Sequence, residues 1–298
     1  MYNEDKKEFL TTMRGVMHDV HRIIRAPQPI INPRSELVVV LIADGLEKVN
    51  ADFLKHMRQL GLYSQDELIR HDFLKYDGED GEVTKLKDLY KSQEEKKTYE
   101  NNVVHCFARD DIYDFGFEPK DYDYIYGDRL KEPMSINFIF AIKHNNGGKL
   151  NSHLFYFHGF CEYLNPTYAT LLDIGTEPIN GAISKLLNHM NLDLNCGGCC
   201  GEIEVETKDA NCLNFIIIYA QYFEYKISNY LDKSAEQFYG FISVLPGAFS
   251  MFRMESIRGR PLKQYFAGLN TTGNTCFKAN MYLAEDRIQC LEILTHQG

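Results

Sequence analysis

An unbroken apolar run, "LVVVLIADG" (37–45), narrows the possible folds more than any other stretch of this chain. Strands covered on both faces read as continuous Val/Ile/Leu runs, whereas strands with one wet face alternate. The run therefore marks a strand in the middle of a sheet, and its closing Asp-Gly is a turn signal. Three more stretches share this character: "SINFIFAIK" (135–143), "NPTYATLLDIG" (165–175) and "SVLPGAFSMFR" (243–253). Helical patterns precede and separate them. "FLTTMRGVMHDVHRII" (9–24) has apolar residues near helical spacing and runs into a Pro-rich connector, "APQPIINPRSE". "NADFLKHMRQLG" reads as a second helix, closed by Gly61 at the C′ position. Strands alternating with helices predict an α/β domain with a mainly parallel central sheet and helices on both faces. In such sheets a ligand lies outside the carboxyl ends of the strands. Asp44, Lys143 and Asp173 each fall at such an end.

The 298 residues are read as a single domain, 1–298, large enough for a sizeable core at 44% hydrophobic content. Residues 1–34 form an N-terminal helix and connector, and 62–134 a variable region. Within it the charge-dense stretch 76–102 reads as a solvated excursion. A formal charge of -10 argues against a nucleic-acid partner, which would call for a basic patch. The opening "MYNEDKKEFL" is charged and lacks the apolar core of a signal peptide, so the eight cysteines are expected as reduced thiols. No stretch approaches the ~18 apolar residues of a membrane helix, and the chain as it stands is expected to be soluble. The longest candidate, "CLNFIIIYA" (212–220), is interrupted by Asn214 and is expected as a buried helix.

Asp44, in "IADG", can accept a hydrogen bond from a base or ribose, or serve only as a turn aspartate. Asp173 in "LLDIGTEP" follows an apolar strand and precedes Gly175 and an expected helix start. A carboxylate there can ligate a hard divalent cation that bridges diphosphate oxygens. Lys143 can meet phosphate as a point charge, while Lys149 reads as a solvated surface lysine. Cys196 and Cys199 have C-x₂-C spacing, but a structural zinc site needs four ligands and no matching pair accompanies them. The "GGK" at 147–149 lacks the frame of a phosphate-binding P-loop. No nucleophile elbow is present, which leaves a covalent hydrolase unsupported. What remains is a set of carboxylates at strand ends and the acidic pair Glu285–Asp286, followed by Arg287 and a helical run. Glycosyl transfer to a hydroxyl needs a base for the acceptor proton and a cation for the leaving diphosphate.

These stretches, in this order, resemble the processive chitin synthases, family 2 glycosyltransferases. "QYFEYKISNYLDKSAEQFYGFISVLPGAFSMFR" (221–253) carries the family's Q-x-x-E-Y motif at Gln221, Glu224 and Tyr225, and its "LPGAFS" at 245–250. "NMYLAEDR" (280–287) is similar to the E-D-R block, and "LLDIGTEP" to "LLDVGTKP". The resemblance covers nearly the whole chain, most strongly 135–294 and least 62–134. It implies a GT-A-type fold and inverting β-1,4 transfer of N-acetylglucosamine from UDP-N-acetylglucosamine to a growing chitin oligosaccharide, with Mg²⁺ or Mn²⁺. Carried over by position, Asp44 would sit by the uridine, and Asp173 would hold metal and diphosphate, with Lys143 and Gly175 on the same donor side. Asp286 would be the general base, with Glu285 and Arg287 around it. Gln221, Glu224, Tyr225, Pro246 and Gly247 would line the substrate. A homodimer is also compatible with the family.

Three departures stand out. The metal motif has a single aspartate, Asp-Ile-Gly; Arg260 stands where the family has glycine; and no Q-x-x-R-W sequence occurs, the chain having no Trp. The chain is accordingly expected to be a catalytic domain of a longer enzyme. Membrane attachment, at the cytoplasmic face of the plasma membrane or of secretory vesicles, would come through segments outside it. The competing readings are a related processive synthase using another UDP-sugar, and a catalytically silent module that binds UDP-sugar.

Overall fold

The structure, a computed structural model, describes residues 1, 3–25, 31, 36–65, 74–76, 83–85, 103–127, 134–206, 214–270 and 284–296. The chain divides into two compact units. The first joins Met1–Tyr163 to Ile174–Ser184, and the second joins Leu164–Asp173 to Lys185–Gly298.

The first unit is built on helix α1, Lys6–Ile24. Asp5 caps it: its side chain accepts from the Glu8 amide at 2.9 Å, and Glu8 accepts in return from the Asp5 amide at 2.8 Å. The reciprocal pair satisfies amides that the helix itself leaves unpaired. Phe9, Met13, Val16, Met17, Val20 and Ile23 are buried along one stripe, the spacing of a helix that lays one face on a core. Strand β1, Val38–Ala43, ends at Asp44. Helix α2, Ala51–Gln59, is capped by Asn50, and Gly61 follows it in the left-handed region at φ 70°. The charge-dense stretch 76–102 lies almost wholly outside the described residues. At its start, β2 (Leu74–Tyr76) pairs antiparallel with β3 (Val83–Lys85). Strand β4, Val104–Ile112, helix α3, Pro119–Tyr126, and strand β5, Ile136–Lys143, complete a sheet in the order β1-β5-β4. Phe9 sits edge-on to Phe53, Phe115 and Phe138, with ring centroids 5.2, 5.9 and 6.4 Å away. Edge-to-face packing of this kind suits the ring quadrupoles.

Helix α4, Gly148–Leu154, continues into a π-helical stretch, Phe155–Cys161. Beyond it, strand β6, Tyr168–Leu172, belongs to the second unit. Helix α5, Ala182–Leu192, leads to strand β7, Gly198–Cys200. Helix α6, Phe215–Ile227, runs through a π-helical segment, Ser228–Lys233, to Phe238. Strand β8, Phe249–Arg253, pairs with both β6 and β7. Helices α7, Arg260–Tyr265, and α8, Glu285–His296, pack on each other.

Two expectations are corrected here. The sheets are not mainly parallel: among the described residues β1–β5 is the one parallel pair, whereas β4–β5, β2–β3, β6–β8 and β7–β8 run antiparallel. An apolar run reports burial on both faces, and burial is the same whichever way the neighbouring strand points. The apolar "NFIIIYA" is helical, as expected, but not buried. No residue of Phe215–Ile227 is buried, and Ile216 is 78% exposed. A helix apolar on all sides carries no stripe that says which face must be covered.

The segment Ile174–Ser184 lies along α1. Arg14 donates to both Glu177 oxygens at 2.8 and 2.7 Å and to Asp121 at 2.9 Å. The Gly175 amide donates to Thr12 Oγ1 at 2.9 Å, and the Ile183 amide to Asp19 Oδ2 at 2.7 Å. Gly15 admits the segment: a Cβ there would stand 2.5 Å from the Pro178 carbonyl oxygen. Alanine is favoured over glycine inside a helix by ~1 kcal/mol, yet a methyl group with backbone in its way costs ~1–3 kcal/mol. Gly15→Ala is therefore expected to destabilise the protein in urea unfolding. An increase in stability would show that the segment does not pack on α1 as described.

Candidate active site

Asp44 and Lys143 meet at the carboxyl ends of the parallel strands β1 and β5. Lys143 Nζ donates to Asp44 Oδ1 at 2.6 Å and to Ser152 Oγ at 3.3 Å. Asp44 Oδ1 also accepts from the Gly147 amide at 2.9 Å. The lysine side chain is 1% exposed and the aspartate 9%. Burial pushes the Lys143 ammonium below its ordinary pKa, and the hydrogen bond to Asp44 works against that shift. The lysine proposed for phosphate is thus engaged by Asp44, and any phosphate contact would compete with this pair. Among the described residues Asp44 Oδ2 takes no hydrogen bond, so the carboxylate is held through one oxygen and can offer the other. Two glycines let the loop close on it. Gly45 has φ 95°, and a Cβ at Gly147 would stand 2.5 Å from Asn151 Oδ1 and 3.0 Å from Lys143 Nζ.

Asp173 follows β6 in the second unit and is exposed. Its amide donates to the Ala248 carbonyl at 3.1 Å. The backbone of Asp173 is thereby fixed beside the turn that carries Pro246 and Gly247, which closes with a 3.2 Å bond from the Phe249 amide to the Pro246 carbonyl. The Asp173 carboxylate takes no hydrogen bond among the described residues. Gly175, also exposed, adopts φ 92°. A left-handed backbone favours glycine there for conformation, whatever else it contacts.

Glu285, Asp286 and Arg287 open α8. The preceding "NMYL" (280–283) lies outside the described residues. Acidic residues in a first helical turn face the positive end of the helix dipole. Tyr265, at the end of α7, is 1% exposed. Burial raises its hydroxyl pKa well above the ordinary value, and the charges of Asp286 and Glu285 add to the rise. A neutral phenol therefore stands in the field of the acidic pair. Sequence reasoning missed Tyr265, because twenty residues separate it from the acidic pair and no motif links them. The helix is anchored further along. The Leu245 amide donates to Cys290 Sγ at 3.3 Å, and Arg260 forms an ion pair with Glu292 at 2.8 Å. The departure at Arg260 thus has a partner on the helix of the acidic pair. Arg14 and its carboxylates were also missed, since nothing in "MRGVMHDV" announces a partner in "TEP".

Gln221, Glu224 and Tyr225 are exposed on α6. Neighbouring Lys226 pairs with Glu202 at 2.7 Å and with Glu204. This brings α6 to the segment that follows β7. Among the described residues no group of three or more His, Cys, Asp or Glu side chains could hold a metal ion. The described residues would thus supply fewer than three ligands to a metal at Asp173, and phosphate and water would supply others. That fits Mg²⁺, which keeps several waters and is often bound by one or two carboxylates plus substrate phosphates.

Removing one member of a buried ion pair strands the other charge in a low-dielectric interior, at a cost of ~3–5 kcal/mol. Lys143→Met is expected to lower unfolding stability by about that much, and the double variant with Asp44→Asn to recover much of it. Equilibrium denaturation of the two checks this; an unaffected Lys143→Met would show that Asp44 and Lys143 do not form a buried pair.

The family model described as a chitin synthase-like glycosyltransferase domain matches residues 1–77 and 88–298. The chain is similar to "Chitin synthase 2" of Mycosarcoma maydis, 36% identical over 304 residues, which covers 99% of this chain and 25% of that protein. It is similar to "Chitin synthase 3" of Pyricularia oryzae at 34% identity, covering 100% of this chain and 31% of the relative. "Chitin synthase 1" of Saccharomyces cerevisiae is 33% identical, with 100% and 24% covered. The chain thus spans about a quarter to a third of the length of these relatives. No helix among the described residues is long and apolar enough to cross a membrane. With a family model matched along nearly its whole length, the chain belongs to the chitin synthase-like glycosyltransferase domain family.

Proposed function

We propose that the protein transfers N-acetylglucosamine from UDP-N-acetylglucosamine to the 4-hydroxyl of a chitin chain, with inversion to a β-1,4 linkage. The observation that carries this reading is the mounting of Asp286. It stands in the first turn of a helix pinned through Cys290 and Glu292. A general base must be held rigidly within reach of the proton it removes. In the reaction Asp286 takes the proton of the acceptor hydroxyl as its oxygen attacks C1 of the donor sugar from the face opposite UDP. One displacement and one base give inversion, and no protein nucleophile is required. Glu285 and Arg287 set the field around the base, and neutral Tyr265 supplies a nearby phenol that keeps its proton.

On the donor side, Asp44 accepts from the uridine through its Oδ2, and Lys143 and the Gly147 amide hold the carboxylate in place. Lys143 acts here as a positioning residue. Asp173 would hold Mg²⁺ or Mn²⁺, which supplies charge neutralisation for the departing diphosphate. Gly175 and the turn at Pro246 and Gly247 shape the backbone beside it. Gln221, Glu224 and Tyr225 offer exposed polar and aromatic groups to a sugar chain. From the family resemblance we take the domain to work at the cytoplasmic face of a membrane, where UDP-sugars are available.

Two substitutions separate donor from acceptor chemistry. Asp173→Ala is expected to abolish Mn²⁺-dependent UDP binding, because a diphosphate without its cation would meet an acidic protein. Calorimetry with UDP, with and without Mn²⁺, reads the loss, and unchanged affinity removes Asp173 from the site. Asp286→Asn is expected to leave UDP binding nearly intact and to lower sugar transfer ~10²–10⁴-fold. The measurement is incorporation from radiolabelled UDP-N-acetylglucosamine into a chitin oligosaccharide. A wild-type rate would move the base to another residue, with Glu285 first to be tested.

A further inference from the structure

Two histidines of the first unit stand outside the proposed transfer chemistry and meet where strands β4 and β5 join. His105 lies near the start of β4 and His144 directly follows β5, and both are half-buried. In the antiparallel register of these strands Val104 stands opposite Lys143, and His105 opposite Ile142. The pairing reaches one residue further, since the His144 amide donates to the Val103 carbonyl at 3.0 Å. Side chains alternate between the two faces of a strand. His105, Ile142 and His144 therefore share one face, and Lys143 belongs to the other, where it meets Asp44. On their shared face the two histidines are diagonal neighbours, a spacing that aromatic side chains can bridge. The backbone beneath them is fixed as well, because the His144 carbonyl accepts from the Leu46 amide at 3.3 Å.

The rings close that gap. His105 Nε2 stands 3.5 Å from His144 Nδ1, with ring centroids 5.7 Å apart and planes inclined at 61°. As a hydrogen bond this separation is long, since N–H donors in proteins sit ~2.7–3.2 Å from their acceptors. It is close to the bite of two imidazoles on one ion. With metal–nitrogen distances of about 2.0–2.1 Å, a tetrahedral ion holds two nitrogens roughly 3.3–3.4 Å apart. A ligating imidazole must also be neutral. Burial, with the neighbouring His144 adding to it, pushes the His105 imidazole down to about 4. Its ring thus stays unprotonated well below neutral pH.

The donor set limits the ion. Among the described residues no group of three or more His, Cys, Asp or Glu side chains could hold a metal, so the pair acts as two ligands and water completes the shell. Imidazole nitrogens suit Zn²⁺, Cu²⁺ and Ni²⁺, whereas Mg²⁺ and Ca²⁺ take oxygen.

We propose that His105 and His144 form a two-point site for a first-row transition ion, Cu²⁺, Ni²⁺ or Zn²⁺, which links the start of β4 to the end of β5. Each ring gives one lone pair, Nε2 from His105 and Nδ1 from His144, and carries its proton on the other nitrogen. Among the three ions Cu²⁺ binds most tightly. Two protein ligands make an exchangeable site that a chelator empties. It is chemically distinct from the Mg²⁺ or Mn²⁺ proposed at Asp173 and independent of the reading of the protein as a sugar transferase.

The test titrates the whole chain, stripped with EDTA and then dialysed, with Ni²⁺ near pH 7 by calorimetry, beside His105→Gln and His144→Gln. The wild type is expected to bind Ni²⁺ at a site that both variants lose. Second-shell partners of a metal already contribute ~10–100-fold to affinity, so loss of a direct ligand should weaken binding at least ~10-fold. Cys196→Ser should bind as the wild type does, which separates the imidazoles from the C-x₂-C thiols. Where a glutamine variant does not fold, the wild-type chain decides. Cu²⁺ with ascorbate should oxidise the histidines that hold the ion, and peptide mapping should find the added oxygen at His105 and His144. No Ni²⁺ binding by the wild type, unchanged affinity in either glutamine variant, or added oxygen confined to other residues overturns the proposal.

Discussion

The clamp between α1 and Ile174–Ser184 is the constraint on which the first unit depends. That segment is remote in sequence from the helix, yet it is fixed there at four points. These are the paired oxygens of Glu177 on Arg14, the Gly175 amide on Thr12, the Ile183 amide on Asp19, and Pro178 against Gly15. The Arg14 guanidinium, hydrogen-bonded by Glu177 and Asp121, is held firmly in its charged form. A bidentate arginine–carboxylate pair fixes orientation as well as distance. The residue immediately before the clamped segment is Asp173, and its own amide is tied to Ala248. Within the second unit, the carboxylate proposed to meet a diphosphate has its backbone tied to Ala248 while its side chain stays exposed.

The other proposed donor carboxylate is treated in the opposite way. Asp44 is withdrawn from water and accepts a buried ammonium and an amide on a single oxygen. Such a pair is poor evidence of stabilisation, since desolvation offsets much of the attraction. What it supplies is direction. With Oδ1 occupied by Lys143 and the Gly147 amide, the orientation of Oδ2 is set by covalent geometry. The lysine at the end of β5, which in sequence looked like a phosphate ligand, is engaged by Asp44 and Ser152.

In the second unit the acidic pair, the turn at Pro246 and Gly247, and the thiol-bearing strand share one set of contacts. Leu245 bonds to Cys290 of α8 and packs on Gly198, while Ile293 of α8 packs on Gly197. A change in the Cys196–Cys199 loop would therefore press on the residue before the turn and on the helix of Asp286. No side chain in these contacts is charged, so the coupling is one of shape. Well-packed interiors transmit such strain because they have little room to absorb it.

Four of the strands were legible in sequence because their apolar runs end in Asp-Gly, Lys, Asp or Arg. β1, β5, β6 and β8 all lie within the stretches that the pattern marks. The helix after β1 and its closing Gly61 were legible for a similar reason, a local cap and a local stop. The family was legible because several motifs stand in one order along nearly the whole chain. Strand direction was not, since hydropathy records how deeply a strand is covered and not which way its neighbour runs. The exposure of α6 was not, since an apolar run states a preference for burial that only a tertiary partner can satisfy. The partners of Lys143, Arg14 and Tyr265 were not either. Lys143 and Asp44 are 99 positions apart and Arg14 and Glu177 163, so no local rule can pair them. The sequence alone determined these elements and the family, because those follow from local periodicity and ordered motifs. Which carboxylate is buried and which is exposed was decided only when the folded chain brought distant residues within hydrogen-bonding distance.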